Sequence, residues 1–327
     1  MSQPSSDRPE PSRAGPSGAS DITEPTKSPE TKGPSGATGT SGHSDPSAPG
    51  AVPDLPAGLG SSDPEAPVAY SAADVAAAED VLAQAAEGDP ETLIALTDEQ
   101  LAALDGYARR QFTATPWLDE HADQRRFAAG IGLRALIAAG QVSAGIDPST
   151  GRQQWTADPM LAGCLVLRRT ASLFTTAERT VQSPQGPQVQ RLHYYVHQGG
   201  VLEEEVTSLG IHRFTPLRAS QVNARLLAVV DPAGDAAGGG EPMQVRASEL
   251  PASPLAPRLA ATRALTVFTI VTTADGGVRQ ASVYATGDEV LVMEALDPGA
   301  DDPLLEFRSV DSAELHALAT VLVGAAG

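Results

Sequence analysis

The sequence predicts an α+β fold, a pseudo-symmetric tandem repeat of antiparallel strands plus helix, preceded by an N-terminal helical region and a disordered N-terminal tail. Three observations predict it. One residue pattern occurs twice in the same order. Each copy runs from β-branched and aromatic stretches to a segment with helical apolar spacing. Residues 1–68 are dominated by Pro, Ser, Gly, Asp and Thr with almost no aliphatic or aromatic side chains, too little apolar surface to offset the entropy of ordering.

Residues 69–158 read as the helical region. Ser71 begins an Ala-rich helix to about Ala86, ended by Gly88-Asp89-Pro90, and Thr97-Asp98-Glu99-Gln100 has the form of a capping box ahead of Leu101, Leu104 and Tyr107. A further helix is expected from about Asp119 to Ala139, with Phe127, Ile131, Leu136 and Ile137 on one broad face, stopping at Gly140. Gln141-Val142 and Gln153-Gln154-Trp155, joined by the turn Asp147 to Gly151, have the form of a small β wing, and Asp158-Pro159 opens a helix through Met160, Leu161, Cys164 and Leu165.

The repeats occupy about 159–231 and 255–327, and with 69–158 they are expected to form one globular unit. Arg169, Phe174 and Thr175 match Arg263, Phe268 and Thr269; Tyr195, Val201, Glu205 and Gly210 match Tyr284, Val290, Glu294 and Gly299. Phe214, Leu217, Val222 and Val229 then match Phe307, Val310, Leu315 and Leu322. In the first copy strands are expected at Ser172–Thr176, Leu192–Val196, Val201–Val206 and Ile211–Phe214, and in the second at Leu265–Thr273, Ser282–Tyr284, Val290–Ala295 and Leu304–Phe307. Gly199-Gly200, Gly276-Gly277 and Gly287 supply hairpin turns. Helices over Ser220–Val230 and Ser312–Val323 close the copies, which predicts one continuous sheet with helices on one face. Gly238-Gly239-Gly240 reads as the linker between copies, since it lacks the strand-to-helix setting of a phosphate loop.

Net charge is −19, from 22 Lys and Arg against 41 Asp and Glu. A field of that sign repels phosphate backbones and anionic membranes, so neither nucleic acid nor membrane is expected as a partner. No run of about 18 apolar residues occurs and no charged-then-apolar segment opens the chain, which predicts a cytoplasmic protein. Cys164, alone in the sequence, excludes an internal disulfide.

Few constellations have the residue types for chemistry. His193, His197, His212 and Glu205 have the ligand types of a metal site on neighbouring strands, against which stands a solvent-facing strand side opposite Leu192, Tyr194 and Val196; the second copy has Ser282 and Thr286 at the matching places. Cys164, among Leu161, Leu165 and Leu167, reads as a buried thiol rather than a nucleophile. Glu203-Glu204-Glu205 and the group Asp297, Asp301 and Asp302 lack calcium-loop spacing and read as solvated loops. No catalytic residue, cofactor or metal is therefore assigned. The uncharged stretch Val181 to Gln190 between the first two strands of copy one far exceeds its counterpart Ala274 to Gly277. Its Val181, Gln182, Pro184, Gln185, Pro187 and Val189 are the expected partner-binding residues.

A helical segment ending in Leu133-Arg134-Ala135-Leu136-Ile137-Ala138-Ala139-Gly140-Gln141-Val142, then Trp155, Asp158-Pro159 and Leu161, then two strand-rich halves each closed by a helix, resembles the EspG-like chaperones of type VII secretion (ESX) in actinobacteria. The resemblance spans about Tyr70 to Val323 and rests on the order of elements; the long tail departs from it, and no short signature transfers a site. It implies a quasi-symmetric central sheet with flanking helical bundles and a cytosolic protein that binds the tip of helical secretion substrates. The leading expectation is thus a non-catalytic chaperone or adaptor with a protein partner. The alternatives are a DNA-associated regulator using the winged-helix-like segment with Arg125, Arg126 and Arg134 on phosphates, and a metal-dependent enzyme using the histidines.

Overall fold

Each early element forms where local chemistry directs it, with one break. The computed structural model describes residues 70–85, 89–109, 113–146, 151 and 153–322, so the expected disordered tail lies outside the described residues. Helix α1 (Ala72–Ala83) starts at Ser71, whose hydroxyl accepts from the Asp74 amide at 3.2 Å while the Asp74 carboxylate accepts from the Ser71 amide at 2.8 Å. Strand β1 (Ile94–Thr97) runs straight into α2 (Asp98–Asp105), closed by the expected Thr97–Gln100 box. The single helix expected over 119–139 is instead α3 (Pro116–Glu120), a 3-10 turn at Ala122–Gln124, and α4 (Arg125–Ala138). The break is at His121, whose ring stacks on Trp117 and whose Nδ1 lies 2.7 Å from the Trp117 carbonyl oxygen. Strands β2 (Val142–Ile146) and β3 (Gln153–Ala157) form the expected hairpin as a separate two-stranded sheet. Asp158 then caps α5 (Pro159–Thr170) through the Met160 amide at 2.9 Å.

The first meander is β4 (Leu173–Val181), β5 (Gln188–His197), β6 (Gly200–Val206) and β7 (Ile211–Leu217), closed by α6 (Ala219–Val230). A short strand β8 (Met243–Arg246), a 3-10 segment Ala247–Ala252 and α7 (Leu255–Ala260) lead into β9 (Ala264–Thr272), β10 (Gly277–Ala285), β11 (Val290–Ala295) and β12 (Leu304–Ser309), closed by α8 (Ser312–Leu322). The ten strands other than β2 and β3 form one antiparallel sheet in the order β1-β7-β6-β5-β4-β9-β10-β11-β12-β8. The expected continuous sheet is thus present. It also holds β1 and β8, which sequence patterning did not reveal; β8 follows the Gly238-Gly239-Gly240 linker.

β4 and β9 pair at the centre with Ala177 opposite Phe268, and a pseudo-twofold axis passes through that pair. The registers carry Tyr195 onto Tyr284, Val201 onto Val290, Phe214 onto Phe307, and the edge strand Ile94–Thr97 onto Met243–Arg246. Each repeat therefore starts earlier than its meander, with an edge strand followed at once by helix. In the first strand the sequence match is slipped by an odd number of residues. Phe174 corresponds to Leu265, while Phe268, aligned with it by letter, points to the opposite face, because side chains alternate along a strand.

Helices cover both faces, which corrects the one-face expectation. Phe174, Tyr195, Leu202 and Phe214 lie under α1, α2, α4 and α5, whereas Tyr194, Val201, Phe268, Val283 and Val292 lie under α6 and α8. Adjacent tyrosines Tyr194 and Tyr195 are both fully buried, so neither face of β5 tolerates water. In the second half the 3-10 segment and α7 cover Tyr284, Met293, Leu305 and Phe307. The helical layer of the first half packs closely: a Cβ on Gly132 would sit 2.3 Å from the Glu99 carbonyl oxygen, and one on Gly163 2.4 Å from that of Ala77.

Candidate functional site

Six charged side chains meet beneath the helical layer of the first half. α2 contributes Asp98 and Asp105 from its two ends, the last turn of α5 contributes Arg168 and Arg169, and β6 and β7 contribute Glu204 and His212. Arg168 donates to Asp105 at 2.6 Å, to Glu204 at 3.0 Å and to the Thr113 hydroxyl at 2.6 Å; Arg169 donates to Asp105 at 3.0 Å, and the Tyr195 hydroxyl donates to Glu204. His212 lies 2.6 Å from Glu204 through Nδ1 and 2.6 Å from Asp98 through Nε2. With a carboxylate on each nitrogen both must donate, so the ring is an imidazolium, and three anions balance three cations. The second Asp98 oxygen accepts from the Trp117 and Leu118 amides at 2.8 and 3.1 Å and thereby starts α3.

The electrostatics follow from this closure. Burial opposes charge on His212, but hydrogen bonds to Asp98 and Glu204 outweigh it and raise its pKa. Burial likewise pushes the Glu204 carboxyl up, yet Arg168 and His212 hold it well below the usual carboxylate range; Arg169 and Arg168 do the same for Asp105. Asp98, Glu204 and His212 are fully buried and each hydrogen-bonds within the protein, so the arrangement joins helices to sheet.

The residues singled out from sequence separate accordingly. Glu203 and Glu204 are buried in a strand rather than solvated: Glu204 sits in the network, and Glu203, on the opposite face, accepts from Arg225 of α6 at 2.8 Å. The histidine side of β5 is covered rather than solvent-facing. His197 Nε2 meets the Leu167 carbonyl at 2.9 Å, His212 is held by its two carboxylates, and Glu205 lies on the other face of the sheet. His193 is buried against Phe174 with no hydrogen bond to either ring nitrogen, and burial lowers its pKa to about 4. Among the described residues no His, Cys, Asp or Glu group has the geometry to hold a metal ion. Cys164 is buried and its thiol is pushed up to about 12, as expected of a structural cysteine. Asp297 and Asp302 hold loops together, Asp297 with Arg246 at 2.8 Å and Asp302 with the Ser248 amide at 2.9 Å.

Among the described residues, a band of sheet stays uncovered between the two helical caps. Its cross-strand rows are Thr180 with Val189 and Leu265, then Arg191, Glu178, Val267 and Ser282, then Thr176, Thr269 and Gln280, ending at Val278. All are exposed or half-buried, Val278 at 64% exposure, although they lie on the sheet's central strands. The axis crosses this band. At one end rises the β4–β5 hairpin: Val181 and Val189 belong to its strands, on opposite faces, while Gln182, Pro184, Gln185 and Pro187 form its exposed tip.

On α4 the buried face is Ala128, Ala129, Gly132, Leu133 and Leu136, so Phe127 and Ile131 do not face the core as expected. Arg126 lies over the Tyr107 ring and is exposed with Arg134, Arg125 is half-buried, and the apolar pair lies between them, so the three arginines do not make one basic face. Among the described residues no helix is long and apolar enough to cross a membrane. No family model and no curated protein matches the chain.

Proposed function

We propose that the chain is a cytosolic, non-catalytic binding protein that grips a helical segment of a protein partner on the uncovered band, flanked by the β4–β5 hairpin. The observation that carries this is the band itself. Central strands are ordinarily covered on both faces, yet Val267, Thr269, Val189 and Val278 reach solvent between two helical caps. A floor with two helical walls fits a helix or a helical hairpin, and valine and threonine supply contact area with little side-chain entropy to lose. The resemblance to EspG-like chaperones supplies the partner class, helical substrates of type VII secretion.

The test is capture with the tagged full chain from an actinobacterial lysate, identification of bound proteins by mass spectrometry, and titration of the recovered partner. A helical secretion substrate should be recovered, and Val267→Glu should weaken it by at least about tenfold, the scale of an interface hot spot. Deletion of Gln182–Pro187 should weaken it as well. Capture of such a substrate with undiminished affinity for the Val267→Glu protein rejects the band as the site; capture of no such substrate rejects the chaperone reading.

A further inference from the structure

We propose a second docking surface, independent of the sheet band: the outward stripe of α4, built to receive an acidic amphipathic helix. Phe127, Ile131, Arg134 and Ala138 fall on one side of this helix, directly opposite the side packed on α2, and Ile137 flanks them. Phe127 is 64% exposed, Ile131 51% and Ile137 38%, so among the described residues nothing covers the apolar stripe. Gly130 and Ala138 leave shallow places beside Phe127 and Ile131 into which the ridge of a second helix fits.

Charge selects the occupant. In a chain of net charge −19, α4 carries no acidic residue; Arg134 lies on the stripe itself and Arg126 is exposed beside it, while Arg125 is half-buried on the other side of the helix. The acids Asp119, Glu120 and Asp123 stop before it, and among the described residues Arg134 is in no ion pair. The helix is thus a basic, apolar island on an acidic protein, to which an anionic partner is steered and from which the remaining surface repels it. A second copy fits poorly: it would bring arginine against arginine, and one stripe about 21 Å long and about one helix diameter (~10 Å) wide covers about 210 Å², short of the ~800 Å² per partner of a stable dimer. Duplex DNA fits poorly too, because Phe127 and Ile131 occupy the part of the helix that would face the groove. A single helix with apolar residues at i and i+4 and carboxylates beside them matches both features.

The probe is a fluorescent synthetic amphipathic helix with leucine on one face and glutamate on the other, titrated into the full-length protein by anisotropy. A lysine-for-glutamate version and a DNA duplex serve as comparators. The glutamate helix should bind and the lysine helix should not. Binding should weaken with added salt, and Ile131→Glu and Arg134→Glu should each reduce it by about tenfold without lowering the melting temperature, since both positions are exposed. Val267→Glu should leave it unchanged, which separates this surface from the sheet band. Equal binding of both peptides, no binding of the glutamate helix, insensitivity to Ile131→Glu, preferential binding of DNA, or a dimer that Ile131→Glu dissolves would each overturn the proposal.

Discussion

Under its helices the first half of the sheet buries Asp98, Arg168, Glu204 and His212, while the corresponding places in the second half hold apolar side chains, Leu305 buried and Ala247, Leu259 and Met293 half-buried. The other face repeats the contrast, with Glu203 and Arg225 answered by Val292 and Leu318. One topology therefore closes in two chemistries, and the charges are not a requirement of the fold. Burying an ion network costs desolvation that an apolar core avoids, so its return is orientation. The 3-10 segment and α7 are a short cap on apolar side chains. The cap of α1, α2, α4 and α5 is much larger, and Arg168 bridges α2, α5 and β6 in a single geometry that a greasy surface would not define.

Breaking that network should give the largest effect. Glu204→Met leaves Arg168 and His212 short of a buried partner and should cost about 3–5 kcal/mol in urea denaturation. The triple change Arg168→Leu, Glu204→Met and His212→Leu, which installs the second half's residues, should cost less than Glu204→Met alone, leaving Asp105 with Arg169 and Asp98 with the Trp117 and Leu118 amides. A triple variant as unstable as the sum of its parts would mean that the halves do not tolerate each other's cores.

Helix packing comes next. Gly132→Ala and Gly163→Ala drive a methyl into the carbonyls of Glu99 and Ala77, and each should cost about 1–3 kcal/mol. Hydrogen exchange should then rise in α1, α2, α4 and α5 but not in β9–β12, because the strain is confined to one cap.

Acidity should separate the halves by a smaller margin. His212 has a raised folded pKa, so its stabilisation is complete below the unfolded value of about 6.5 and is lost as pH rises through the folded value. Glu204 works oppositely, with a lowered folded pKa: its contribution is present above the unfolded value of about 4.3 and is lost on acidification. His193, depressed to about 4 by burial, adds to the acid loss below about 6.5 as the unfolded chain takes up its proton. Urea midpoints should fall from about pH 7 to about pH 9 in the parent protein and stay level there in the triple variant.

The legible part of this molecule was the part set by periodicity. Tyr195 and Tyr284, Val201 and Val290, and Phe214 and Phe307 matched in sequence and coincide in space, because the middle and outer strands share hairpin geometry. The first strand misled: an aromatic residue suits either covered face, so letter identity paired Phe174 with Phe268 across opposite sides. β1 and β8 are too short to show alternation and became visible only by pairing with β7 and β12. Glu204 read as solvated because a carboxylate is ordinarily exposed; its signal lay in the strand pattern around it, with Val201, Leu202 and Val206 flanking it and Arg168-Arg169 in the preceding helix. Phe127 and Ile131 read as core on hydrophobicity alone, whereas the helical spacing of Ala129, Gly132, Leu133 and Leu136 marks the true buried side.

The smallest effect on stability should come from the band at the axis, where it also separates folding from binding. Glu178 and Arg191 pair across β4 and β5 at 2.8 Å near solvent, and the pseudo-twofold puts Thr269 and Gln280 at the corresponding places. Exposed pairs of this kind contribute about 0–1 kcal/mol, so Glu178→Thr with Arg191→Gln should move the urea midpoint hardly at all. The same change removes the charges from the band and gives these two places the residues of the second half. If the partner is oriented by this one asymmetric ion pair, its affinity should fall in titration while stability holds; if affinity is equally unmoved, recognition rests on the valines and threonines on either side, and Val267→Glu remains the decisive variant.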